Sequence, residues 1–276
     1  MIIIALHVEA LLSGEANGVS GGVMRGRVNI LDVPVSALDM ERALALVESW
    51  IADGKPNFVC FRDVHGVMLA RHDPLLQSAH NRAGMIAPDG MPLVWLSRLS
   101  GYPDTGRVCG PDFMPALCER SETAGYRHFF YGGAPGVPER LAENLRTRFP
   151  QLRVAGIYSP PYRPLTDDED AEVIRMIDES GADIVWVGLS TPKQEKWMME
   201  HVGRMQAPVL LGVGAAFDFH AGMVRRAPRW MQRSGLEWLF RLFSEPARLW
   251  RRYLLLAPAF LILVLVQKFG LKRYSK

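Results

Sequence analysis

The sequence predicts an α/β protein, with a mainly parallel sheet covered by helices on both faces and a basic helical C-terminal appendage suited to a membrane surface. Three observations lead there. Short apolar, β-branched runs alternate with amphipathic stretches as far as residue 213, which is the pattern of repeated strand–helix units. A chain of 276 residues, 49% hydrophobic and 22% charged, has room for one sizeable domain plus an appendage. That composition excludes disordered, collagen-like and small disulfide-rich classes. The net charge of +3 is also unevenly spread. Residues 225–276 carry twelve Lys and Arg against two acids, Glu237 and Glu245, which leaves an acidic body and a basic tail.

In chain order, a first strand is expected at 28–33. A helix follows at 39–51, with Ala43, Leu44, Leu46, Val47 and Trp50 at core spacing. A strand at 58–61 precedes helices at 64–71 and 74–81. A short strand at 85–87 ends in Pro88-Asp89-Gly90 and leads to a helix at 91–100. Next come a strand at 128–131, a helix at 138–148, a strand at 154–157 and a helix at 167–180. The body closes with a strand at 184–189, a helix at 192–202 and a strand at 209–213. The domain organisation expected is a flexible leader at 1–26, the α/β domain at 27–224 and the appendage at 225–276. The N-terminus lacks a basic region, and His7 and Glu9 interrupt its apolar stretch, so it makes a poor signal peptide. Cys60, Cys109 and Cys118, with no CxxC, suit a reducing compartment.

The appendage holds the longest apolar run, residues 253–266. Fourteen residues make about 21 Å of helix, short of a hydrocarbon core of roughly 30 Å, and Pro258 would kink it. An interfacial or monotopic segment is the preferred reading; a short tilted span and a buried core or oligomer-interface helix stay open. Arg226, Arg229 and Arg233, then Arg241, Arg248 and Arg252, recur at helical spacing among Trp230, Trp238, Trp250 and Tyr253. Beside an apolar run, this mixture fits membrane phosphate better than nucleic acid.

Ligands of such sheets bind beyond the carboxyl ends of the strands, and four of those ends carry unusual residues. Gly132-Gly133-Ala134-Pro135-Gly136 opens a helix and is either a phosphate-binding turn or a plain tight one; it is neither a Walker motif nor GxGxxG. Ser190-Thr191-Pro192-Lys193-Gln194-Glu195 reads as a helix start with Pro192 in the first turn and Ser190 or Thr191 as cap. Lys193 there opposes the helix dipole, which leaves room for an anion. Asp89 is either a turn residue or a general base. In Gly212-Val213-Gly214-Ala215-Ala216-Phe217-Asp218-Phe219-His220, Asp218 could accept hydrogen bonds from ribose hydroxyls, and His220 reads as structural. Asp168-Glu169-Asp170 contains a DxD, but Thr166 and Glu169 form a capping box. His65 and His72 have no third ligand nearby. No metal and no cofactor is expected.

Taken together, Pro88-Asp89-Gly90, Arg107-Val108-Cys109-Gly110-Pro111-Asp112, Tyr131-Gly132-Gly133, Thr191-Pro192-Lys193-Gln194-Glu195-Lys196-Trp197 and Arg226-Ala227-Pro228 with Gly235-Leu236-Glu237-Trp238-Leu239 resemble the WecG/TagA/CpsF family of bacterial glycosyltransferases across residues 28–252. The resemblance implies a Rossmann-like fold and an inverting, metal-independent transfer. The donor would be a UDP-sugar, of N-acetylmannosamine, glucose or similar. The acceptor would be a polyprenyl-diphosphate-linked saccharide at the cytoplasmic face of the inner membrane, in surface polysaccharide synthesis; homo-oligomers are also compatible with it. By the same resemblance Asp89 is the general base, and Gln194, Asp218, Gly132 and Gly133 belong to the nucleotide-sugar site. Arg241, Arg248 and Arg251 would grip the lipid diphosphate. Where many members carry Thr-x-Asn, this chain has Phe61-Arg62-Asp63, which makes Asp63 the counterpart of the asparagine at the donor site. The rival readings are a nucleotide-binding reductase, whose GxGxxG fingerprint is missing, and a non-enzymatic membrane adaptor.

Overall fold

Six strands form a parallel sheet because their residues are apolar on both faces, so each strand has helices to bury against on either side. The computed structural model describes residues 26–270, except for the side chains at 229, 233, 248 and 251–253. All of the expected leader but Gly26 therefore lies outside the described residues.

A hairpin comes first, β1 (Arg27–Ile30) and β2 (Val33–Ser36), followed by helix α1 (Met40–Asp53) and strand β3 (Asn57–Arg62). Helices α2 (Val64–Ala70) and α3 (Pro74–Arg82) lead to β4 (Met85–Pro88), then α4 (Met91–Leu99) and α5 (Gly110–Ala124). Strand β5 (Arg127–Gly132), helix α6 (Val137–Arg148), β6 (Arg153–Tyr158), α7 (Asp167–Ser180), β7 (Ile184–Gly188), α8 (Lys193–His201), β8 (Val209–Gly212) and α9 (Ala216–His220) complete the alternation. The strand order is β4-β3-β8-β7-β5-β6, every pair parallel. After β4 the chain crosses to β5, and β7 and β8 later fill the gap; this reversal is what opens a crevice at the strand ends.

Alternation along β3 shows the two layers. Val59 and Phe61 join the core under α1, α5, α6 and α9, with Leu44, Phe113, Leu141 and Phe217. Phe58 and Cys60 face the opposite core under α2, α3, α7 and α8, with Val67, Leu76, Ile177 and Met198. The predicted fold class is borne out: an α/β, Rossmann-like sheet with helices on both faces and a helical C-terminal extension. The capping box is formed as read, Thr166 N donating to Glu169 Oε2 at 2.9 Å and Glu169 N to Thr166 Oγ1 at 3.3 Å.

Besides the short helix α9, where no helix is expected, two elements differ from expectation. The single strand expected at 28–33 is a hairpin, turning at Leu31 and Asp32 with φ of 52° and 70°. Hairpin turns of this kind are normally signalled by Asn-Gly or Asp-Gly; here Leu-Asp is held by tertiary contacts. Asp32 N donates to Asn29 Oδ1 (2.9 Å), Leu31 N to Gln267 Oε1 (3.0 Å), and the Leu31 side chain is fully buried. Helix α5 is the second: no element is expected between 100 and 128, a stretch that carries Gly110, Pro111 and Pro115. Pro115 has no N–H to donate to the Pro111 carbonyl, which instead accepts from His220 Nε2 at 2.8 Å. That bond gives His220 a structural role.

The C-terminal chain continues as short helices α10 (Arg229–Arg233), α11 (Glu237–Ser244) and α12 (Pro246–Arg251), a π-helical turn Arg252–Leu256, and α13 (Ala257–Lys268). Pro258 falls just after the π-helical turn, inside a run that stays helical from Pro246 to Lys268, so its missing N–H coincides with the break in the α-helical ladder. Phe260 is buried, and Leu256, Ala259, Leu263 and Val264 pack with it against the core under α2 and α3. Gln267 Nε2 donates to Asn29 O at 3.0 Å, tying the helix to the hairpin. The opposite edge, Leu254, Leu255, Leu261, Ile262, Leu265 and Phe269, is 52–73% exposed. Among the described residues no helix is long and apolar enough to cross a membrane.

Candidate active site

The ends of β3, β4 and β8, the segment after β7 and the start of the C-terminal extension enclose a cleft of about 650 Å³. Asp63, Asp89, Gln194, Asp218 and Arg241 all line it. Five residues singled out from separate parts of the chain therefore share one cavity. Gly132 and Gly133 do not line it. Their φ values are 121° and 76°, and a Cβ on Gly132 would lie 2.7 Å from the Gly188 backbone. Gly132 lets β5 and β7 end in close contact, and Gly133 packs against Phe217, Pro138 and Val137. Arg248 and Arg251 are on α12, and their side chains lie outside the described residues; Leu249 between them is buried and lines the cleft.

Asp89 follows β4 directly, its N–H donating to Arg62 O of β3 at 2.8 Å. The side chain keeps 29% of its surface open. Burial pushes its carboxyl up to about 6; Arg107 opposes the rise, and the nearby Asp63 and Glu237 carboxylates add to it. Arg107 Nε donates to the Asp89 carbonyl at 2.6 Å, while its Nη2 lies 3.4 Å from Asp89 Oδ1 and 2.7 Å from Glu237 Oε2. Glu237 in turn faces Arg226 Nε at 3.4 Å, and Arg226 pairs with Asp112. Asp63 caps α2, accepting from Gly66 N at 2.9 Å. Arg241 lies over the Phe219 ring at 5.8 Å on the cleft wall.

Beneath the cleft lies a charge pair that the sequence did not reveal. Arg62 is 2% exposed and Glu195 fully buried, and their side chains pair directly. Thr191 Oγ1 accepts from Arg62 at 3.3 and 3.4 Å and donates to Glu195 Oε1 at 3.1 Å. Thr191 is thus not the expected cap of α8: Pro192 occupies the cap position, with no side-chain cap bond. Gln194 Nε2 donates to Glu195 Oε1 at 2.8 Å and to Gly212 O at 3.0 Å. Since both partners are acceptors, the amide orientation is fixed, and the buried Oε1 has no partner among the described residues. Gln194 Oε1 is thus a buried acceptor at the edge of the cleft. Lys193, expected at the mouth, instead stands over the Tyr162 ring at 4.8 Å. Two pairs, Arg62–Glu195 and Arg107–Glu237, escaped the sequence reading because their partners are far apart in the chain. The only available signal was that all four fall in or beside the family-like motifs.

The cleft combines a carboxyl of raised proton affinity, further polar acceptors, and a wall running through Arg241 to the apolar residues Trp238, Leu249 and Ala257. It can take a polar ligand at its floor and an amphipathic one at its outlet.

The chain is 35% identical over 185 residues to the N-acetylglucosaminyldiphosphoundecaprenol N-acetyl-beta-D-mannosaminyltransferase of Bacillus spizizenii, strain W23, covering 67% of this chain and 70% of that one. It is 31% identical over 192 residues to the protein of the same name from Bacillus subtilis, strain 168, covering 70% and 72%. The family model described as Glycosyl transferase WecG/TagA/CpsF family matches residues 28–274, taking in the whole six-stranded sheet, the cleft and the described C-terminal helices. The chain belongs to the WecG/TagA/CpsF family of glycosyl transferases.

Proposed function

We propose that this enzyme transfers a sugar, N-acetylmannosamine or a related hexose, from a UDP-sugar to a polyprenyl-diphosphate-linked saccharide, with inversion and without a metal. The observation that carries the reading is Asp89: a carboxyl held near pKa 6, open to the cleft and anchored by Arg107. At pH 7 such a group is roughly nine-tenths ionised and still basic enough to accept a proton as the reaction proceeds. In the proposed step Asp89 takes the proton from the acceptor hydroxyl. The acceptor oxygen forms a bond to the anomeric carbon as the bond to the diphosphate oxygen breaks on the opposite face. UDP leaves with the electron pair, its charge met by arginines of the extension such as Arg241. The names of the Bacillus relatives support N-acetylmannosamine as the sugar and a GlcNAc-bearing diphosphoundecaprenol as the acceptor. Phe61-Arg62-Asp63 supports a donor site different in detail from that of Thr-x-Asn members.

Trp238, Leu249 and Ala257 line the cleft, and Ala257 lies in the same helical segment as the exposed edge from Leu254 to Phe269. On this reading that edge lies in the cytoplasmic leaflet as a monotopic foot, bringing the cleft to a lipid-linked acceptor. The test is a transfer assay with a panel of UDP-sugars and a detergent-solubilised polyprenyl-diphosphate acceptor. Asp89→Asn should lower turnover by about 10²- to 10⁴-fold while UDP affinity by titration calorimetry changes little. Full turnover by that variant would remove Asp89 from the mechanism.

A further inference from the structure

Arg107 is shared between the body of the enzyme and its C-terminal extension. Its Nε is committed to the Asp89 carbonyl (2.6 Å), which fixes the guanidinium, while Nη2 stands between two carboxylates. The shorter contact, 2.7 Å, goes to Glu237 at the start of α11; the longer, 3.4 Å, goes to Asp89 Oδ1. Glu237 is itself held from the far side by Arg226, whose guanidinium also engages Asp112 and approaches Cys109 Sγ at 3.5 Å. Side-chain exposures of 21% for Arg107 and 14% for Glu237 keep this group out of bulk water, where such contacts would be heavily screened.

We propose that Glu237 is a positioning residue for the transfer reaction: by drawing Arg107 toward the C-terminal extension, it keeps the guanidinium from fully engaging the Asp89 carboxylate and so sets the strength of the base. The inference rests on the general-base reading of Asp89. The charged groups facing Asp89 are Arg107, Asp63 at the head of α2 and Glu237 of α11. His65, Asp218, Arg241 and Glu245 also line the cleft, as does Arg62, which is paired with Glu195. The buried Cys109 thiol, whose proton affinity burial and Asp89 both raise, also faces Asp89; of the three charged groups, Glu237 alone belongs to the extension. Removing its charge acts twice in one direction: a repelling neighbour disappears, and Arg107 is released toward Asp89. Both favour the ionised carboxylate.

The test is the pH dependence of kcat/KM for the full-length enzyme and Glu237→Gln. The acid limb, set by Asp89, is expected to move down by about half to one pH unit. With a weaker base, kcat at pH 8 should fall several-fold while KM for the UDP-sugar stays within about twofold. A uniform loss of rate with an unmoved limb would overturn the proposal and leave Glu237 a purely structural ion-pair partner. Should Glu237→Gln fail to fold by circular dichroism, Glu237→Asp withdraws the carboxylate by one methylene and should give a smaller shift in the same direction; an unmoved limb there overturns it equally. Asp89→Asn separates the two claims: undiminished turnover in that variant refutes the base itself, whereas an unshifted limb with Asp89 still essential refutes only the part assigned to Glu237.

Discussion

Two arginine–carboxylate groups border the same cleft and are built on opposite plans. Arg62 and Glu195 form a closed pair beneath the floor, out of water, with Thr191 bonding both partners and Gln194 held in one orientation by the result. Arg107 serves two carboxylates at the rim, Asp89 and Glu237, and satisfies neither exclusively. The contrast teaches how one cleft can hold both a rigid acceptor and an adjustable base. A buried pair whose charges cancel has every reason to stay put, since separating it strands a charge in apolar surroundings. Burial raises the proton affinity of Asp89, and a guanidinium shared with Glu237 offsets that rise only in part.

Breaking the closed pair should give the largest effect. Arg62→Met strands Glu195 and is expected to destabilise the protein by about 3–5 kcal/mol, read from urea unfolding at pH 7.5. A loss below about 1 kcal/mol would mean that water reaches the pair and that the floor is not closed. Asp89→Asn should do the opposite to stability. Because the folded carboxyl titrates near 6, above its unfolded value, the folded state binds the extra proton between about pH 4 and 6, and stability falls as pH rises through that window. Above it, ionised Asp89 costs up to about 3 kcal/mol. The asparagine variant should therefore be more stable than the parent at pH 7.5, and the advantage should vanish on approach to pH 4. Equal stabilities across that range would remove the strain assigned to the rim. The smallest effect on both groups is expected from Leu261→Glu with Ile262→Glu, on the exposed edge of α13. Unfolding free energy should stay within about 0.5 kcal/mol, and transfer in detergent should hold, while flotation with anionic vesicles is lost. Unchanged flotation would place the membrane contact elsewhere.

Much of this was legible before the structure. The parallel sheet followed from apolar runs alternating with amphipathic helices, and Asp89, Gln194 and Asp218 were identifiable as residues at strand ends. Local patterns fail where the decisive contact is distant. The Leu31-Asp32 turn has no hairpin signature because Asn29 and Gln267, 238 residues apart, stabilise it jointly. Helix α5 hides behind Pro115 because the carbonyl it leaves free is satisfied by His220 from α9. Glycine serves both phosphate-binding turns and close strand contact, and nothing in the local sequence of the turn after β5 separates the two uses.

The chain's patterning and motifs by themselves determined the fold class, the basic apolar tail and the family, since periodic burial and strand-end chemistry are written locally. Only the tertiary structure decided which charges meet. Arg62 with Glu195, Arg107 with Asp89 and Glu237, and Gln267 with the hairpin are choices among many arginines and carboxylates, made by how the sheet and the extension pack. The reason is physical: a charge interacts across a few ångströms of space, and sequence distance says almost nothing about which few ångströms those will be.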